Sequence, residues 1–183
     1  MADRGLTGVL LVGGASRRFG SPKALARIGD ETLAERMWRV LGEACDERLA
    51  VGKAADGLPL PFPLLDDGTD LRHPAAGIVA ALRAAAHDVC VVLPVDCAGM
   101  SAAGLRALAD ACADAAVPED GGPIPGAYRR SALPALERCL AEQGRLKDAL
   151  AGLDVVRVPL DPELFADADT VEELAEIESR RRE

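Results

Sequence analysis

An apolar run at Val9–Val12 ends abruptly in Gly13-Gly14, and a buried strand forced to turn at that point constrains this chain more than any other feature. The run has the length and branching of a strand covered on both faces. The glycine pair lacks Cβ atoms, so the backbone can turn sharply and come close to a ligand. Arg17, Arg18 and Lys23 follow, in a chain whose net charge is −9. Backbone N–H groups and converging cations after a buried strand are what a polyphosphate requires. Two familiar phosphate loops are excluded. Gly14 and Gly20 have five residues between them and Gly20 precedes Ser21, which rules out G-x-x-x-x-G-K-[ST]. The adjacent glycines rule out G-x-G-x-x-G. On glycine and charge alone, an ordinary Gly-rich turn with a solvated basic face fits equally well.

Downstream, strands alternate with helices. The first strand covers Thr7–Val12 and the loop Gly13–Pro22 follows it. Ala24–Ile28 reads as a short extended piece before a turn at Gly29-Asp30. A helix is predicted from Thr32 to Cys45, with Leu33, Met37, Val40 and Leu41 at helical spacing. Leu49–Val51 reads as a strand. The Pro-rich segment Gly57–Pro63 leads to another strand ending at Leu64-Leu65. A polar loop, Asp66–Pro74, precedes a helix at Ala75–Ala86. Val89–Leu93 is wholly apolar and therefore predicted to be central. Ser101 caps a helix ending near Cys112. Ala115–Val117 is a strand, Pro118–Pro125 an exposed loop, and Ala127-Tyr128 lead into a helix over Ser131–Ala141 with Pro134 in its first turn. A short helix at Arg145–Leu150, a strand at Val155–Val158, an extended piece at Phe165–Ala168 and a helix from Thr170 to Ile177 complete the chain.

This alternation predicts one α/β domain over residues 1–183, a three-layer sandwich around a mostly parallel sheet. Aromatic residues make up only 3% of the chain, so the core must be built from Ala, Leu and Val. The acidic balance argues against a broad nucleic-acid surface, which needs a local excess of cations. It leaves room for a single bound nucleotide. The opening MADRGLTGVLLVGG is not a secretory signal, and no apolar run approaches membrane-spanning length. Five scattered cysteines without C-x-x-C favour reduced thiols in the cytoplasm.

Ligands of parallel sheets bind at the carboxyl ends of strands. The Gly loop, the acidic loop after Leu65 and Asp96 after Leu93 all follow strands, so they can meet at one edge. Asp96 reads either as a turn residue or as a Mg²⁺ ligand, since a hard cation takes carboxylate and phosphate oxygens. Asp167 and Asp169 are two apart and point the same way if extended. One of them, Asp169, is a candidate to complete the metal shell. Lys23, expected exposed in its loop, and Arg17 are candidates to neutralise a leaving pyrophosphate. Asp66 is a candidate acceptor for a ribose or base. His73 and His87 have no nucleophile partner in the sequence. Cys97 directly follows Asp96.

Beyond these readings, the chain resembles the molybdenum cofactor guanylyltransferases of the MobA type, within the small nucleotidyltransferases of Rossmann-like (GT-A-like) fold. The resemblance rests on LVGGASRRFGSPK at Leu11–Lys23, HPAAGI at His73–Ile78, LPVDC at Leu93–Cys97, GAYRR at Gly126–Arg130 and FADADTVEEL at Phe165–Leu174. It implies transfer of GMP from GTP to the terminal phosphate of molybdopterin, with Mg²⁺, release of pyrophosphate, and transient contact with other molybdenum cofactor biosynthesis proteins. By matched position, Leu11, Val12 and Gly13 would line the guanine and ribose pocket, Lys23 would meet phosphates, Asp66 would help hold the nucleotide, and Asp96 would bind Mg²⁺. The chain departs from the pattern at Val12, Phe19, His73, Asp167 and Asp169, and at Val51-Gly52, where the family has a nucleotide-contacting Asn. Asp-x-Asp before Thr170 is closer to cytidylyl- and sugar-nucleotide-transferring relatives. A transferase using another NTP and a non-catalytic nucleotide-binding relative are the rival readings.

Overall fold

A computed structural model describes residues 5–13 and 22–165 of this chain. The expected extended piece at Phe165–Ala168 and helix from Thr170 thus lie, apart from Phe165, outside the described residues. A seven-stranded sheet takes β1 (Leu6–Leu11), β4 (Glu47–Gly52), β5 (Leu64–Asp66), β6 (Val89–Pro94), β7 (Ala115–Pro118), β8 (Gly126–Arg129) and β9 (Val155–Val158) in the order β5-β4-β1-β6-β8-β7-β9. β2 (Arg27–Ile28) and β3 (Glu31–Thr32) form a separate two-stranded ribbon across the Gly29-Asp30 turn. The helices are α1 (Leu33–Ala44), α2 (Pro74–Ala84), α3 (Ala102–Ala111), α4 (Leu133–Ala141) and α5 (Leu146–Ala149). Among the described residues, no helix is long and apolar enough to cross a membrane.

Side chains of β1 alternate between the two faces, as the period of a strand requires. Leu10 and Val12 join a core with α1 and α3. Val9 and Leu11 join a second core with α2, α4 and α5. The result is the expected α/β/α sandwich. Each fully buried Leu contributes about 1.5–3 kcal/mol, and small side chains let the layers sit close. A Cβ on Gly77 in α2 would meet Leu11 Cδ2 at 2.6 Å, so the helix lies close on β1 and any larger residue there would push the Leu11 side chain aside. Tyr128 is fully buried, and its hydroxyl is satisfied by the Pro123 carbonyl.

Local chemistry sets the helix ends. Thr32 and Glu35 form a reciprocal capping box at the start of α1. Ser101 accepts the Gly104 N–H to open α3, as the sequence predicts. Pro134 sits in the first turn of α4. The Pro-rich segment is anchored by Phe62, whose ring stacks on Trp38 with centroids 4.2 Å apart.

Three expectations are corrected. Ala127-Tyr128 do not lead into a helix; they lie in β8, antiparallel to both β6 and β7, and α4 begins only at Leu133 after a 3-10 turn. A four-residue strand with one charged end gave too short a pattern to separate from a helix start. Lys23–Leu25 forms a 3-10 turn rather than extended chain. The strand expected at Leu49–Val51 extends over Glu47–Gly52, because its polar first half pairs with β1 although it faces solvent.

The chain runs from β1 to β4 and β5 on one side, then crosses to β6 on the other side of β1. The sheet therefore has a topological switch point between β1 and β6. Open α/β sheets bind ligands at such points, beyond the carboxyl ends of the strands.

Candidate active site

A cavity of ≈ 320 Å³ opens at that edge. Leu11 and Gly13 reach it from β1 and its exit, Val51 and Gly52 from the end of β4, and Pro94 from β6. Gly77 of α2 and Ile124 close its sides. Most of this wall is apolar and suits a flat ring. The Val95 N–H donates to the Leu11 carbonyl at 3.1 Å, which fixes the exit of β6 beside that of β1.

Four polar residues also line the cavity, and none was singled out as a ligand group from the sequence: Lys53, Asp67, Arg72 and His73. Lys53 directly follows β4, one position beyond the Val51-Gly52 pair where the resembled family carries its Asn. The Lys53 ammonium donates to Asp67 Oδ1 at 2.7 Å, to the Leu71 carbonyl at 2.7 Å, and to the Thr69 carbonyl. Three donors thus meet three acceptors, which is what allows a lysine to be this buried. The knot ties the acidic loop to the end of β4. Arg72 is exposed and holds Asp56 with two parallel bonds. His73 caps α2: Nδ1 accepts the Ala75 N–H at 3.1 Å, so the proton lies on Nε2, which donates to the Gly144 carbonyl at 2.7 Å. The His-Pro pair at a helix start was the legible signal for this cap.

Asp66 is placed differently from the expectation. Its Oδ2 accepts the Ala54 N–H at 2.7 Å and its Oδ1 the Gly68 N–H at 2.8 Å. These backbone bonds hold its carboxyl below the usual range. Asp66 is exposed and lies outside the cavity lining; it staples β5 to the turns around it. Leu11 and Gly13 line the cavity, whereas Val12 is buried in the core with α1, its N–H donating to the Val51 carbonyl.

Lys23 and Asp96 come together at the same edge from distant parts of the chain. Lys23 Nζ lies 3.4 Å from Asp96 Oδ2, with side-chain exposures of 16% and 27%. Lys23 is therefore not an exposed loop residue; it opens the 3-10 turn and is partly buried. Asp96 sits in the turn after β6. Cys97 is buried, with its thiol directed at the Phe165 carbonyl 3.8 Å away. Arg17, Asp167 and Asp169 lie outside the described residues. Among the described residues no group of three or more His, Cys, Asp or Glu side chains is arranged to hold a metal. Asp96 has the chemistry of a ligand that shares a hard cation with substrate phosphates, which needs few protein donors.

The model of the MobA-like NTP transferase domain matches residues 8–158, which span β1 to β9. The chain belongs to this family. As a MobA-like NTP transferase it has relatives at modest identity. It is 32% identical to the probable molybdenum cofactor guanylyltransferase of Chloroflexus aggregans over 161 residues, covering 81% of this chain and 77% of the relative. It is 30% identical to the molybdenum cofactor guanylyltransferase of Desulfosudis oleivorans over 149 residues, covering 77% and 73%. A further match, 40% identical to the probable molybdenum cofactor guanylyltransferase of Pelotomaculum thermopropionicum, spans less than half of either protein: 49% of this chain and 44% of the relative. The crystal structure of molybdopterin-guanine dinucleotide biosynthesis protein A from Archaeoglobus fulgidus superimposes with a TM-score of 0.80 at 26% identity, covering 96% of this chain and 98% of that one. The 2-C-methyl-D-erythritol 4-phosphate cytidylyltransferase of Thermus thermophilus shares the fold, with a TM-score of 0.72 at 18% identity.

Proposed function

We propose that this MobA-like NTP transferase moves GMP from GTP to the terminal phosphate of molybdopterin and releases pyrophosphate, with Mg²⁺, in the cytoplasm. The observation that carries the reading is the convergence at one sheet edge: a largely apolar cavity sized for a base lies at the ends of β4, β1 and β6, and Lys23 meets Asp96 in the turn that follows β6. The substrates come from the relatives' names. The free cysteines fit a reducing compartment.

In this reading an oxygen of the acceptor phosphate attacks the α-phosphorus of GTP in line. A P–O bond forms there as the bond to the bridging oxygen breaks and pyrophosphate leaves. Little covalent help is needed, so positioning and charge compensation supply most of the acceleration. The cavity wall from Leu11 to Gly77 holds the base and excludes water from it. The Lys23 ammonium offsets negative charge on the phosphates as it develops. Asp96 is the residue that would hold Mg²⁺, which when bound neutralises phosphate oxygens and polarises the phosphorus.

The decisive experiment incubates the protein with Mg²⁺, molybdopterin and each NTP in turn while pyrophosphate is followed. Turnover with GTP well above the others is expected. Equal or faster turnover with CTP would overturn the guanylyl assignment.

A further inference from the structure

A loop at a sheet edge ordinarily runs over the surface. The turn that carries Asp96 does not: Val95, Cys97, Ala98 and Met100 are each 5% exposed or less. On one side the Val95 N–H ties this turn to the Leu11 carbonyl of β1. On the other side it is covered by a strap, the 3-10 turn Pro162–Leu164 and the following Phe165. The strap comes from β9, which has β7 and β8 between it and β6 in the sheet. Leu164 and Phe165 pack against the core shared with α1 and α3.

The strap meets the Asp96 turn backbone to backbone. A Cβ on Gly99 would lie 2.2 Å from the Glu163 carbonyl oxygen and 3.4 Å from Leu164 Cα. A backbone carbonyl cannot rotate aside as a side chain can, so the strap itself would have to shift. Two residues before Gly99, the Cys97 thiol faces the Phe165 carbonyl at 3.8 Å. Gly104 in α3 gives the contrast. A Cβ there would stand 3.5 Å from Leu164 Cδ1, an ordinary contact, and 3.1 Å from Met100 Sδ, part of a flexible side chain. The approach of the strap thus requires glycine at residue 99 and tolerates alanine at residue 104.

We propose that Gly99 is a positioning residue for the transfer reaction: by admitting the Glu163 carbonyl it seats the strap on the Asp96 turn, and the seated strap holds Asp96 in place beside Lys23. This rests on the transfer reading above, in which Lys23 and Asp96 act on the phosphates. The base cavity does not depend on the seat, because neither Gly99 nor the strap belongs to its wall. Loss of the seat therefore acts on the chemical step and largely spares nucleotide binding. A charged group displaced by about 1 Å is enough to slow a reaction by roughly 100-fold.

Gly99→Ala is compared with the wild type and with Gly104→Ala, which adds the same methyl group on the roomier side of the strap. Pyrophosphate release is followed with Mg²⁺, molybdopterin and whichever NTP the wild type uses best. Alkylation of native Cys97 is followed by peptide mass spectrometry, and the melting temperature of each protein is recorded. In Gly99→Ala, kcat per folded molecule is expected to fall roughly 10- to 100-fold, with KM for the nucleotide within about 3-fold of the wild type. Cys97 is expected to react at least ~10-fold faster, because the strap no longer covers it. Gly104→Ala is expected to match the wild type in kcat, KM and alkylation. A merely structural contact would lower the melting temperature and leave kcat per folded molecule unchanged, and that result overturns the proposal. So does a fall in kcat with Cys97 still protected, a rise in KM without a fall in kcat, or an equal fall in Gly104→Ala. If Gly99→Ala does not fold, Leu164→Ala loosens the strap without adding an atom to the turn. A fall in kcat of about 3- to 10-fold is then expected, and an unchanged kcat overturns the proposal. A wild type that works fastest with CTP overturns the guanylyl assignment while this test proceeds with CTP; a wild type that releases pyrophosphate from no NTP overturns both.

Discussion

The two edges of the sheet are both rich in charge, but only the carboxyl-terminal edge sets its charges around a cavity. At the amino-terminal edge of β1, β4 and β6, every prominent charge ends on the protein itself. Arg129 donates to the carbonyls of Cys112 and Ala113 and pairs with Asp88. Arg130 takes the carbonyls of Ala85 and His87. Glu47 accepts from the Thr7 hydroxyl and the Ala86 N–H. At the carboxyl-terminal edge, Lys23 and Asp96 meet at a long 3.4 Å, and a cavity opens beside the ends of β4, β1 and β6. Motif density alone does not separate these edges. GAYRR belongs to the sequence pattern of the family as much as the Gly loop does, but its arginines close loops at the far end of the sheet. What marks the carboxyl-terminal edge is the cavity that opens there, with the Lys23–Asp96 pair at the same edge.

That contrast can be broken by substitution. The largest effect is expected from Asp96→Ala: pyrophosphate release should fall at least ~100-fold while the melting temperature stays close to that of the wild type. Near-normal, metal-dependent turnover in this variant would remove Asp96 from the site. Lys23→Ala should follow, with turnover down about 10- to 100-fold and a stability loss of no more than about 1 kcal/mol. Because Lys23 is partly buried, some loss is expected, unlike that of a freely solvated lysine. At the other edge the pattern should invert. Arg129→Ala leaves two carbonyls and Asp88 without their donor, so denaturant unfolding should show a loss of about 1–3 kcal/mol. Its kcat per folded molecule should be unchanged; a fall in kcat equal to that of Lys23→Ala would erase the distinction between the edges.

A smaller effect is expected from pH, and it too belongs to the amino-terminal edge. Burial pushes the thiols of Cys45 and Cys90 up to about 12 and that of Cys112 to about 11, against an ordinary 9.0. The folded chain therefore holds these protons after the unfolded chain has released them. The stability they contribute is complete below the ordinary thiol value and is lost as pH climbs from there toward the raised values. The melting temperature should decline steadily from about pH 9 upward, and native Cys90 should resist alkylation that the unfolded chain undergoes readily. A flat stability profile from about pH 8 to about pH 10.5 would contradict this.

Much of the architecture was legible because it is written in long, regular patterns. The apolar run Val89–Leu93 announced a central strand, and the spacing of Leu33, Met37, Val40 and Leu41 announced a helix. β8 was not legible: its four residues carry no alternation that distinguishes them from a helix lead-in. In the site, the strand-end rule singled out Asp96 and the run of cations after the glycine pair singled out Lys23, and the fold brings the two to 3.4 Å. The strand-end rule also singled out Asp66, the last residue of β5, whereas the next residue, Asp67, is the one that lines the cavity. Which of two adjacent aspartates turns inward depends on the loop that Lys53 knots, and no local pattern encodes that knot. The capping histidine followed the same logic: His73 was visible as a lone imidazole near the site, but its partners, Ala75 and Gly144, are set by helix geometry and by a chain segment 71 residues away.

Among the described residues, only β8 runs against the direction of its neighbours in the sheet. A purely parallel sheet offers its ligand edge nothing but strand exits, each committed to a crossover helix. The reversal delivers a hairpin to that edge instead, residues 119–125, with Ile124 on the cavity wall. This connection carries no helix and fixes no layer of the sandwich. It is therefore a stretch of the rim that can lengthen, shorten or change its chemistry while the framework behind it stays as it is, and it leaves the mouth of the site free to be refitted to a different acceptor.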